Sequence, residues 1–238
     1  MNSLIYSELS RSRKSAVLSV IFTISAAMIF ILIALSFNYG NLGKLPPEAK
    51  TAFMDMANSI TAPCLALISA YITSAALTDS ETDVRYRMFR RSTPISPMKY
   101  SAVNAVVMGI YFVVGTALAI GLTALFCAVS GTDFTQTQLA EIFFCAELVL
   151  LFAVLTQLEQ VFRHLPTDKA SMIVIFTIMI PLMLFGFFVS ITGMDLGITE
   201  EKFKCFLTDI FPFSPLIIAG LLGINLFFTA KAYKRREK

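Results

Sequence analysis

One acidic side chain stands where chemistry or binding would need it. Glu147 lies within the apolar stretch Ile142–Leu158, a few residues from its middle. Ionisable groups in such a stretch are costly to bury and mark functional positions by default. Two readings stay open for it. It is a lumen-facing group that contacts a cationic or polar substrate or carries a proton, or it is a protonated or hydrogen-bonded side chain that fixes helix packing. Asn104 and Asn225 sit inside two other apolar stretches and are candidates for interhelical hydrogen bonds worth about 0.6–2 kcal/mol each. With Glu147 they form the candidate substrate path. Glu159 stands beside Gln157 and Gln160, four residues ahead of Arg163, the favourable order for a helical ion pair.

Other chemistries lack their residues. The single histidine, His164, falls in a short loop, and a zinc site needs three or four ligands. The cysteines Cys64, Cys127, Cys145 and Cys205 show no paired spacing, and three of them sit in apolar runs where a thiol behaves as a small hydrophobe. The sequence holds no G-x-x-x-x-G-K-[ST] loop, no G-x-S-x-G elbow and no H-E-x-x-H. Gly40–Lys44 has the wrong spacing for a phosphate loop. No enzyme activity, metal or cofactor is expected of the chain itself.

The elements that must position Glu147 are six apolar runs, about 16–37, 56–78, 100–129, 139–158, 170–193 and 212–230. Each is long enough to cross a hydrocarbon core about 30 Å thick. Backbone groups in lipid must bond internally, and the alternation required of a barrel is missing, so the expectation is an all-α protein with six transmembrane helices in a single domain, 1–238. Composition agrees: 56% of residues are hydrophobic, 15% are charged, and the mean hydropathy is +0.74. A soluble domain would commonly have about a quarter of its residues charged. A net charge of +3 confined to loops argues against a nucleic-acid binder. The first run is 22 residues long and lacks a small-x-small exit, unlike a cleavable signal peptide.

Basic residues near the run ends set the orientation. With the N-terminus inside, fifteen lysines and arginines fall in inner segments and four (Lys44, Lys50, Lys202, Lys204) in outer ones. Both termini are therefore expected in the cytoplasm. Tyr39, Tyr100 and Tyr233 stand near run ends as interfacial anchors. Residues 1–14 are too polar to insert, and Leu4, Ile5 and Leu9 can form one apolar stripe, which predicts a short helix lying on the inner membrane surface. Small-residue pairs Ala105/Gly109, Gly115/Ala119 and Ala117/Gly121 permit close helix contact in the third run. Pro181 is expected to kink the fifth run. Pro212 and Pro215 predict a broken or re-entrant turn before the last.

The segment between the second and third runs, DSETDVRYRMFRRSTPISPMK, is the most informative. Ser80 and Asp83 have capping-box spacing, and Asp83 and Arg87 can pair four residues apart. Arg90 and Arg91 suit the last turn of a helix, and Pro94 and Pro97 stop it. The whole predicts a short, capped, basic helix held at the inner surface, where a plain positive loop beside anionic lipid is the alternative.

Six runs with both ends inside, an N-terminal surface helix and this long inner segment resemble a type-2 ABC transporter permease. Asp79-x-Glu81, the basic helix and Pro94-Ile95-Ser96 are similar to the small permeases of Gram-positive bacteria that serve exporters of amphipathic peptide toxins such as phenol-soluble modulins. That resemblance implies a coupling helix whose Asp79, Glu81, Asp83, Arg87, Arg90, Arg91, Pro94 and Ile95 meet an ATPase subunit. It also implies two ATPase copies that bind ATP and Mg2+, a second permease copy or homologous permease, and a place in the bacterial cell membrane. A six-span substrate-binding or regulatory subunit without transport drive of its own is the alternative.

Overall fold

Apolar runs with few breakers leave the backbone one way to satisfy itself, and the computed structural model is helical throughout the residues it describes, 2–40, 46–76, 96–163, 165–192 and 200–236. The helices are α1 (Asn2–Tyr39), α2 (Pro47–Ala70), α3 (Pro97–Ser130), α4 (Gln136–Arg163), α5 (Thr167–Thr192), α6 (Glu200–Ile210) and α7 (Ser214–Arg236). Short 3-10 segments follow α2 (Tyr71–Ala76) and precede α7 (Phe211–Phe213). Five stretches, within α1, α2 and its 3-10 tail, α3, α4 and α6–α7, are long and apolar enough to cross a membrane. α5 reads as apolar from Met172 to Val189 and supplies a sixth. The chain is a multi-pass membrane protein.

The core is built from α2, α3, α4 and α7. Ala70, Met108, Phe112, Ala146, Leu150, Ala153 and Val154 form its centre, with Ile218, Leu221 and Leu222 against it. Small side chains bring the helices together. Ala62 and Ala66 of α2 meet Ala119 and Ile142, and a Cβ on Gly115 would stand 2.7 Å from the Ser69 carbonyl oxygen. The Gly115/Ala119 pair therefore lies in a close seam, as the spacing suggests, whereas Gly121 is exposed with nothing within 4 Å of its missing Cβ. On α3 the inward residues mix small and polar side chains (Ser101, Thr116, Ala119 and Thr123) with large apolar ones (Met108, Phe112 and Phe126), and the outward ones include Val106, Ile110, Val113 and Leu125. That distribution suits a bundle surrounded by hydrocarbon.

Three expectations are corrected. Residues 2–14 do not form a separate surface helix: α1 is one uninterrupted helix of 38 residues, roughly 57 Å long. Arg11, Arg13 and Lys14 include no Gly or Pro to break it. The stripe of Leu4, Ile5 and Leu9 packs on a cluster of Ile72, Val103, Val107 and Tyr111, and Ser12 Oγ lies 2.5 Å from the Tyr111 hydroxyl. Tyr100 and Tyr233 are buried rather than interfacial, and they meet edge to face at 5.3 Å. The segment before the last span is helical over α6, whose Leu207 is buried and whose Phe203 packs edge to face on Phe144 at 6.2 Å. The break at Pro212 is found as the 3-10 segment, and α5 continues through Pro181. The helix expected over 79–91 lies outside the described residues.

Candidate functional site

α4 is the helix that carries polarity into the bundle. Its buried residues include Gln138, Glu147, Gln157 and Gln160. α7 runs beside it in the same direction. Ser214 stands at Glu147, Asn225 at Gln157 and Tyr233 at Val161. The 3-10 turn sets this register: Phe211 packs edge to face on Phe143 at 5.2 Å and delivers Ser214 to the first turn of α7.

Glu147 is 6% exposed. Ser214 stands beside its carboxyl, and Oε1 is buried with no hydrogen-bond partner. α3 from Tyr100 to Ser130 and α7 from Ser214 to Ala230 offer no counter-ion, since neither stretch contains Lys, Arg or His. An ionised carboxylate with a bare oxygen in such a place carries a desolvation cost of several kcal/mol. The group is therefore equipped to take a proton or a donor on Oε1.

Asn225 belongs to a different layer. It donates from Nδ2 to Gln157 Oε1 at 2.8 Å and lies 3.7 Å from Met108 Sδ, which ties α7, α4 and α3 at one level. Its Oδ1 has no hydrogen-bond partner. Gln157 is ten residues from Glu147, about 15 Å along α4, so the two polar groups are separate. Asn104 is half-buried on α3, one turn from Met108 and outside the Asn225–Gln157 contact. The three residues of the candidate path therefore form no single constellation. Gln157, the missing partner, sits in sequence beside Glu159 and Gln160 at a helix end, and nothing in its spacing marks Asn225 as its neighbour. The Glu159–Arg163 ion pair forms at 2.8 Å.

Asp79, Glu81, Asp83, Arg87, Arg90, Arg91, Pro94 and Ile95 all lie outside the described residues, but the two supports of that segment are defined. On one side, Ile72 and Thr73 of the 3-10 segment are fully buried, Ile72 against α3. On the other, Ser96 caps α3: its side chain accepts from the Lys99 amide at 3.4 Å, its carbonyl accepts from the Tyr100 amide at 3.2 Å, and Pro97 occupies the first helical position. Tyr100 then clusters with Val161, Ala232 and Tyr233, so the start of α3 is keyed to the ends of α4 and α7.

At the opposite end of the bundle a polar cavity of about 430 Å3 lies among Asn58, Thr132, Asp133, Gln138, Glu141 and Lys204. Among the described residues no group of three His, Cys, Asp or Glu side chains is placed to hold a metal. No family model, curated protein or solved structure matches the chain.

Proposed function

We infer that the chain is the permease subunit of an ATP-driven exporter in a bacterial cell membrane, with both termini cytoplasmic, moving amphipathic peptides or other hydrophobic compounds outward. The observation that carries this reading is the seating of segment 77–95. It is joined at one end to the buried Ile72–Thr73 turn and at the other to the capped first turn of α3, which contacts α4 and α7. Those described flanks give a force applied by an ATPase subunit a path to three spans. The acidic–basic–Pro-Ile-Ser sequence of the segment supports its role as a coupling helix, and the excess of lysine and arginine on that side supports a cytoplasmic location. ATP and Mg2+ belong to the ATPase subunits, two per transporter, and a second permease completes the lumen. Each nucleotide state must contact the two permease arrangements differently for ATP to bias them.

The test is affinity purification of the full chain from membranes, read by ATP hydrolysis in the eluate. Wild type is expected to retain an ATPase subunit. The combined variant Arg87→Glu, Arg91→Glu and Pro94→Ala is expected to insert normally but lose that ATPase and its export. An eluate without ATP hydrolysis, or hydrolysis and export undiminished in the variant, sinks the coupling reading.

A further inference from the structure

α5 packs on α4 and leaves its side toward α7 open. The result is a crevice of about 380 Å3 lined by Leu158, Phe162, Val174, Ile224 and Phe228, with Glu159 the one charged residue in its wall among the described residues. That volume is within the range of small-molecule sites, and an apolar cleft with one placed polar group is their usual composition. The rest of the wall makes no polar demand: Thr177, the other polar lining residue, donates its hydroxyl to the Ile173 carbonyl at 2.7 Å. Gln160 bonds Thr167 and ties α4 to the start of α5 beside it. Arg163, the partner of Glu159, does not line the crevice, and its side chain is 61% exposed against 27% for Glu159. Glu159 thus lines the cleft while its cation stands outside it. Asp168, Lys169 and Lys231, at the same end, do not line it either.

We propose that this crevice binds a single-chain cationic amphiphile, its hydrocarbon tail between α5 and α7 and its ammonium group on the Glu159 carboxylate in place of Arg163. Charge complementarity selects the occupant, because the one charge in the wall is negative. The ammonium donates to a carboxylate bordered by apolar side chains, where a charge-assisted bond is stronger than at an open surface. Its use in export rests on the permease reading; binding does not.

The chain has no tryptophan, so one introduced residue reports alone. In the full chain reconstituted in phosphatidylcholine vesicles, with any copurifying subunit kept and its signal subtracted using the tryptophan-free wild-type preparation, Phe228→Trp fluorescence is titrated with 12-bromododecylammonium, and Phe162→Trp serves as a second reporter from the same wall. Saturable quenching is expected, with Glu159→Gln raising the half-saturating concentration about tenfold. Arg163→Gln is expected to lower it, since the acid loses its competitor, whereas an ion pair serving structure alone would make both variants lose equally. Ile29→Trp on the outward side of α1 is expected to show only linear quenching by amphiphile dissolved in lipid. Linear quenching at both crevice reporters, no effect of Glu159→Gln, or tighter binding of 12-bromododecanoate would overturn the proposal. All of these readings are taken without ATP, so they stand or fall apart from ATPase retention.

Discussion

α1 and α4 are both long apolar helices, yet they occupy opposite situations. The apolar window of α1 is 11% buried and that of α4 is 50% buried. α1 presents Leu18, Ile21, Phe22, Ile29 and Leu32 outward, and the residues it buries most deeply are Glu8, Ser12, Thr23, Ala27 and Ala34, with Leu4, Ile5 and Leu9 packed beside the first of these. α4 turns Gln138, Glu147, Gln157 and Gln160 inward. In water, apolar residues mark the side of a helix that packs. In this chain hydrocarbon covers apolar surface as well as a neighbour does, so small and polar residues mark that side instead.

Five single substitutions would break or sharpen this contrast. The largest effect is expected at Gly115, where even alanine forces backbone apart: Gly115→Ala should cost about 1–3 kcal/mol, seen as a lower temperature for loss of the monodisperse peak in detergent. Gly121→Ala, six residues on, should be neutral or slightly stabilising, because nothing stands near it and alanine favours helix by about 1 kcal/mol. If the two glycines respond alike, the close seam is misplaced. Next comes Asn225→Leu, which strands Gln157; a loss of about 1–2 kcal/mol is expected. Adding Gln157→Leu should restore part of it, and strict additivity of the two would deny the hydrogen bond. Tyr111→Phe should cost about 0.5–1.5 kcal/mol by removing the Ser12 contact that holds α1. Smallest of all, Leu18→Ala on the outer face of α1 should stay within about 0.5 kcal/mol, and a core-sized loss there would mean that the face is packed.

The spans and the break at Pro212 were legible in the sequence, because a bilayer imposes a minimum apolar length and proline imposes its own geometry. The course of residues 2–14 was not. A charge scale sees a boundary at Arg11–Lys14, but a backbone without Gly or Pro has no reason to stop, and Leu4, Ile5 and Leu9 find protein rather than lipid. The hidden helix α6 has the opposite cause: Glu200 and Glu201 look like loop, while Phe203 and Leu207 give it a face to pack. Of the candidate path, spacing alone marks Glu147 as unusual, but only three-dimensional register shows Ser214 beside it and Gln157 beside Asn225. Tyr100 and Tyr233 mislead for the same reason, since each looks like an anchor until the other is in view.

The turn between α3 and α4 has a consequence for how the protein reaches its membrane. Gly131, at φ 74°, ends α3 in a left-handed turn, and α4 begins at Gln136. Connected so tightly, the two cannot wait for one another at the lipid surface and must enter as a hairpin. α3 carries no charge from Tyr100 to Ser130, whereas α4 brings one buried carboxylate and three buried glutamines. The costliest passenger thus crosses leaning on the greasiest, and its polar groups meet a neighbouring helix before they meet bare hydrocarbon.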